Sequence, residues 1–217
     1  MKDLLHKYGH VWILAYFFIY MKWFFWLEHR KVAHLTIMHT RLDDLIPFNE
    51  YFIIPYLLWF VYIFATVGYL FLKNREEFYR ICVYLFTGMT VCLLICTLLP
   101  NGTDLRTVVD PHKNLCSALV AMIHRVDTAT NVFPSIHVYN SIVACICIFK
   151  SETFRKFRGI RPAALVLTIL ICLSTVFLKQ HSVTDVTAGS LLAFAIYPMV
   201  FSGQHQKAEA GKPETVH

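Results

Sequence analysis

Two stretches of this chain place reactive side chains at spacings that let them work together. In "KQHSVTDVTAG", residues 179–189, His181 and Asp185 lie four apart. On a helix they share a face, so Asp185 can accept the proton of one ring nitrogen and leave the other free as nucleophile or base. Gly189 extends that face by four more residues and lets a neighbouring helix come close. In "NVFPSIHVYNSI", residues 131–142, a polar turn becomes an apolar segment. Pro134 can take the first helical position there, with Ser135 and His137 in the first turn. A hydroxyl, an imidazole and free backbone N–H groups at a positive helix end favour a phosphate. A third stretch, "LLPNGTDLRTVVDP" at residues 98–111, carries Arg106, whose planar fork matches phosphate oxygens. Singly, each has a plain alternative: a core histidine, an interfacial helix pair, a snorkelling arginine.

The elements that must hold these groups belong to a membrane. Of the 217 residues 57% are hydrophobic, 15% aromatic and 16% charged, too apolar for an ordinary soluble domain. The net charge of +6 is carried by Lys and Arg between apolar runs, which fits membrane topology and gives no basic, aromatic-interleaved face for nucleic acid. Seven cysteines with no CxxC pair argue for packing, not for disulfides or a structural zinc. Six apolar runs, Val11–Leu27, Phe52–Leu72, Ile81–Leu99, Val132–Phe149, Ala163–Leu178 and Val186–Phe201, are read as spans, the last three extended by flanking residues. Pro198 should bend or end the last.

With both termini on one side, that side carries twelve Lys and Arg against seven opposite, so both termini are expected in the cytoplasm of a multi-pass cell-membrane protein. The loops at 100–131 and 179–185 then open outward. Residues 41–52 read as interfacial, with Asp43 and Asp44 on different helical faces. Residues 112–126 read as a short amphipathic helix built on Leu115, Leu119 and Ile123, lying on the surface or over a cavity. Lys22 is expected to face other helices or water, or to snorkel. Trp23, Trp26 and Trp59 read as aromatics of interface belts and apolar faces. The expected domains are a membrane-embedded unit over 1–202 and a polar, disordered tail over 203–217.

His137, His181, Asp185 and Arg106 fall at the same end of these spans, and their motifs resemble the type 2 phosphatidic acid phosphatase (PAP2) superfamily. The family's second motif, Pro-Ser-Gly-His, is matched by "PSIH" at 134–137, with Ile136 for the glycine, as in the branch of inositol phosphorylceramide and sphingomyelin synthases. Its third, Ser-Arg, five residues, His, three residues, Asp, is matched by Ser174, His181 and Asp185 in "STVFLKQHSVTD", residues 174–185. Thr175 stands where the arginine usually is, and Lys179 is the candidate replacement. Arg106 followed by Thr107 is the nearest match to the first motif.

The resemblance implies an all-α, polytopic six-helix membrane bundle and a lipid phosphate phosphatase that needs no metal or other cofactor. His181 would be the nucleophile, oriented by Asp185, and His137 the general acid and base. Arg106, Ser135, Lys179 and Ser174 would hold the phosphate. The substrate would be a lipid phosphate in the bilayer, with the oligomeric state open. A lipid headgroup phosphotransferase is the alternative. A small transporter, a metalloenzyme using His137, His181 and Asp185, and an inactive scaffold remain as other classes.

Overall fold

A computed structural model describes residues 9–210, and within them the chain is almost wholly helical. A 3-10 turn, Gly9–Leu14, leads into α1 (Ala15–His29); the short α2 (Arg41–Leu45) precedes α3 (Ile53–Lys73) and α4 (Arg75–Leu98). There follow α5 (Leu115–Val126), α6 (Ile136–Lys150), the short α7 (Glu152–Arg155), α8 (Ile160–Phe177) and α9 (Val183–Ala210). The one sheet among the described residues is a parallel pair, β1 (Thr36–Ile37) on β2 (Asn101–Gly102).

Capping residues explain where the helices depart from the apolar runs. The Asn74 side chain accepts from the amides of Glu76 and Glu77, both at 3.1 Å, so α4 starts well before Ile81, with two carboxylates at its positive end. Ser135 is the N-cap of α6, so Pro134 lies just outside that helix and not at its first position. The last helix passes through Pro198 without ending and runs on to Ala210, into the segment expected as a tail. Residues 1–8 and 211–217, with Lys2, Lys7 and Lys212 of the charge count, lie outside the described residues.

Among the described residues four helical stretches are long and apolar enough to cross a bilayer: α3 with the turn before it, α4, α8, and α9 as far as Ser202. α1 and α6 have 15 residues each, shorter than a straight crossing needs, so the count of six spans stays a proposal. α6 is nonetheless the centre of the bundle, packed against α3, α4, α8 and α9, while α1 lies outside on α4.

Lipid tails are as apolar as leucine, so these helices must associate through close packing and hydrogen bonds. Gly88 of α4 provides the closest approach: a Cβ there would lie 1.8 Å from Cζ of Tyr139 on α6. The fully buried Tyr139 donates its hydroxyl to the Tyr84 carbonyl at 2.5 Å, and Tyr84 donates to the Ala193 carbonyl at 2.5 Å. These bonds tie α6, α4 and α9 together. On the opposite flank Thr168 of α8 donates to the Ser141 carbonyl of α6 at 3.2 Å.

At one end the connecting segments form a cap. Asn101, fully buried, accepts the Phe133 amide at 2.9 Å and donates to the Leu99 carbonyl at 2.8 Å. Glu28, near the end of α1, accepts from Thr128 Oγ1 at 2.5 Å and from Asn131 Nδ2 at 2.8 Å. The entry to α6 is thus held from both sides.

A Gly88→Ala chain cannot keep the α4–α6 spacing, because the Tyr139 ring is buried and anchored by its own hydroxyl. Overpacking of this kind costs about 1–3 kcal/mol. Thermal unfolding in detergent should show the loss, and an unchanged midpoint would mean the ring has room to move.

Candidate active site

The residues at 175–185 form a compact turn that the sequence pattern alone does not describe. α8 ends with Lys179 in the left-handed region, at φ 57°. The Lys179 amide donates to the Val176 carbonyl at 3.1 Å and the Gln180 amide to the Thr175 carbonyl at 2.9 Å, the paired bonds of a Schellman turn. Lysine holds the place usually given to glycine, at a cost of roughly 1–2 kcal/mol in backbone strain. The His181 amide also donates to the Thr175 carbonyl, at 3.1 Å. One carbonyl oxygen therefore orients both Gln180 and His181.

α9 then starts with one half of a capping box. Ser182 is its N-cap, and Asp185 Oδ2 accepts the Ser182 amide at 2.9 Å. The same oxygen accepts from His181 Nδ1 at 3.3 Å. His181 thus lies just ahead of the helix and not on its face: the expected pairing with Asp185 forms through the cap. Asp185 is fully buried, and its Oδ1 has no partner among the described residues.

α6 brings the second imidazole. The ring centroids of His137 and His181 are 5.9 Å apart, inclined at 60°, close enough to serve one tetrahedral phosphate. His137 packs on Tyr56 at 4.8 Å and on Trp59 at 4.5 Å, both from α3. Trp59, read from sequence as an aromatic of interface belts and apolar faces, is a wall of the site. The Ser135 hydroxyl accepts the Val138 amide at 3.4 Å, which leaves its own proton available. Close contact of α6 and α9 depends on Gly189, where a Cβ would come within 2.7 Å of the Ser135 carbonyl. The Ser135 amide in turn donates to the Asp185 carbonyl at 3.2 Å.

Arg106 reaches the site from the loop after β2. It donates to the Asp127 carbonyl at 2.6 Å, the Thr128 carbonyl at 2.8 Å, Asp127 Oδ2 at 3.2 Å and Gln180 Oε1 at 2.6 Å. Its Nε is buried with no partner. Burial pushes the Asp127 carboxyl above its ordinary value, and the Arg106 cation pulls it only part of the way back. Burial, and then the same cation, hold His124 of α5 below its ordinary value. Roofing the site, α5 packs Val120, Leu119 and Ile123 with Ile53, Tyr56 and Leu178, the amphipathic helix expected at 112–126.

Two expected phosphate contacts face elsewhere. The Lys179 ammonium donates to the Asp43 carbonyl at 2.6 Å, and the Ser174 hydroxyl to the Ile171 carbonyl within α8 at 2.6 Å. Asp43, read as merely interfacial, is the residue that sequence reasoning missed. It is 2% exposed; Oδ2 accepts from Ser182 Oγ at 2.6 Å and from the Thr40 amide at 2.7 Å, and Oδ1 accepts the Val183 amide at 2.8 Å. The signal available was the Thr-x-x-Asp capping box at 40–43, but its long-range partners leave no trace in local pattern.

A model of the PAP2 superfamily matches residues 98–209, just over half of the chain, and spans Arg106, His137, His181 and Asp185. No curated protein and no solved structure gives a match.

Burial pushes the Asp43 carboxyl up, but the hydrogen bonds from Ser182, Val183 and Thr40 outweigh it and hold the group below its ordinary value. The unfolded chain binds that proton more tightly, so the contribution to stability is present above the ordinary carboxylate pKa of about 4 and is lost as pH falls through the lower folded value. Asp43→Asn should flatten this acid limb in unfolding scans in detergent between about pH 3 and 7. Asp43→Ala should cost about 1–3 kcal/mol at neutral pH. An acid limb identical in wild type and Asp43→Asn would remove Asp43 from this role.

Proposed function

Because the chain belongs to the PAP2 superfamily, whose members are generally phosphatases or phosphotransferases, we propose that it is an integral-membrane lipid phosphate phosphatase. The observation that carries this reading is the pair of imidazoles from different helices, 5.9 Å apart, one of them held by a buried carboxylate. Asp185 keeps the Nδ1 proton of His181 engaged, so Nε2 is the nucleophilic nitrogen. His181 attacks the phosphorus in line; the bond to the lipid oxygen breaks, and His137 gives its proton to the leaving alcohol. In the second half His137 takes a proton from water, whose oxygen displaces the phosphoryl group from His181 and releases phosphate. Arg106 and the Ser135 hydroxyl hold the equatorial oxygens while charge redistributes, the electrostatic share of the catalysis.

The access route agrees with an amphiphilic substrate. His137 and His181 lie beneath the cap, at the end of helices whose outer faces carry exposed Leu, Ile and Phe. A lipid phosphate reaches them with its acyl chains still among the helices. In this reading the cap faces outward and both termini are cytoplasmic. Transfer of a headgroup onto a lipid hydroxyl would use the same first half and differ only in the acceptor; Ile136 and Thr175 are the residues that resemble the transferase branch.

Purified chain in detergent micelles, given a panel of lipid phosphates with EDTA present, should release inorganic phosphate. His181→Ala should lower release at least about 10³-fold and His137→Ala by about 10²–10⁴-fold. The rate should be bell-shaped in pH, because one imidazole must attack without a proton while the other must carry one. Full release from His181→Ala would sink the mechanism, and no release on any substrate would direct the assay to transfer onto lipid alcohols.

A further inference from the structure

Gln180 is 2% exposed, and only half of its carboxamide is used. Its oxygen accepts from Arg106 Nη2 at 2.6 Å, which fixes the amide orientation, since a guanidinium can only donate. The Nε2 group is consequently turned to the other side, where it is buried with no partner. Arg106, bonded to the same side chain, has a buried and unpartnered Nε–H of its own. Two donor groups on adjoining side chains are thus left without acceptors, and a buried donor is destabilising until it has one.

Their position indicates what fills them. Gln180 immediately precedes His181, and both backbone amides share the Thr175 carbonyl, while the Arg106 bond fixes the Gln180 side chain beside them. The neighbouring cation, Lys179, is turned away to Asp43. A group with several acceptor oxygens and negative charge would satisfy both donors, and a phosphoryl group has both properties.

We propose that Gln180 is a substrate-binding residue whose Nε2 donates to a non-bridging oxygen of the phosphoryl group, with Arg106 Nε on the same group. This rests on the phosphate-handling reading of the site. Gln180 then takes the place that the sequence suggested for Lys179, and Arg106 acts both as a phosphate ligand and as the clamp that aims the amide.

The test uses the full chain in detergent micelles and measures affinity for inorganic phosphate and, separately, for dioctanoyl phosphatidic acid, with turnover of the latter. Gln180→Glu keeps an oxygen for Arg106 but replaces the donor with an anion; Gln180→Met removes the donor without adding charge. Both should weaken both ligands, by about 10- to 100-fold for Gln180→Glu at pH 7.5, and lower turnover by about 10²-fold or more. Relative to wild type, the Gln180→Glu deficit should shrink as pH falls, because the introduced carboxyl regains a proton it can donate. A purely structural role would not give that recovery. The proposal is overturned if both variants bind inorganic phosphate within about threefold of wild type, or if wild type binds none. It is also overturned if only the lipid is affected, which would assign Gln180 to another part of that molecule. Intact phosphate binding with no turnover by wild type would instead count against hydrolysis, and the binding ratios would still decide Gln180.

Discussion

The carboxylate of Asp43 is the point on which the geometry of the site depends. It sits in the cap and accepts from Thr40, Ser182 and Val183, and its backbone carbonyl takes the Lys179 ammonium. The turn between α8 and α9 is thereby fixed from outside the helices that it joins. That turn contains Gln180 and His181 and leads directly into Asp185. A carboxylate 2% exposed is expensive to bury unless its oxygens are satisfied, and here both oxygens accept. The same bonds that make its burial tolerable hold the loop of His181.

Asp43 and Asp185 each accept the amide three residues back at a helix start and do different things with what is left. Asp43 uses its remaining capacity on Ser182 and Val183, across the cap. Asp185 uses the oxygen that accepts the Ser182 amide to hold His181 as well, and its other oxygen has no partner among the described residues. Only one of the two is adjacent to an imidazole, so short-range pattern gives them equal rank while the fold does not.

Much of the bundle was legible because a bilayer enforces long apolar runs, and a helix satisfies its own backbone. The runs at 52–72 and 163–178 match α3 and α8 closely, and the amphipathic spacing of Leu115, Leu119 and Ile123 marks α5. Of the candidate site, His137, His181, Asp185 and Arg106 stood out because reactive groups at span ends are unusual. Lys179 could be noticed but not aimed: its direction depends on a left-handed backbone angle and on a carbonyl 136 positions away. Gln180 and Trp59 were hidden for a simpler reason. A glutamine in a loop and a tryptophan in a span are ordinary residues, and only their neighbours make them otherwise.

The length of α6 has a mechanical side. Fifteen residues rise about 22 Å, against a hydrocarbon layer of about 30 Å. On the proposed function, with Lys150 and the basic segment after it at one water boundary, the opposite end, with Ser135 and His137, falls several ångströms short of the other. A lipid phosphate would have to sink that far to reach the imidazoles, at fractions of a kcal/mol per ångström. Its neighbours would hold such a lipid under elastic load, and that load would return it once its phosphate was gone. The thickness of the surrounding membrane would then be a control on turnover, independent of any side chain in the site.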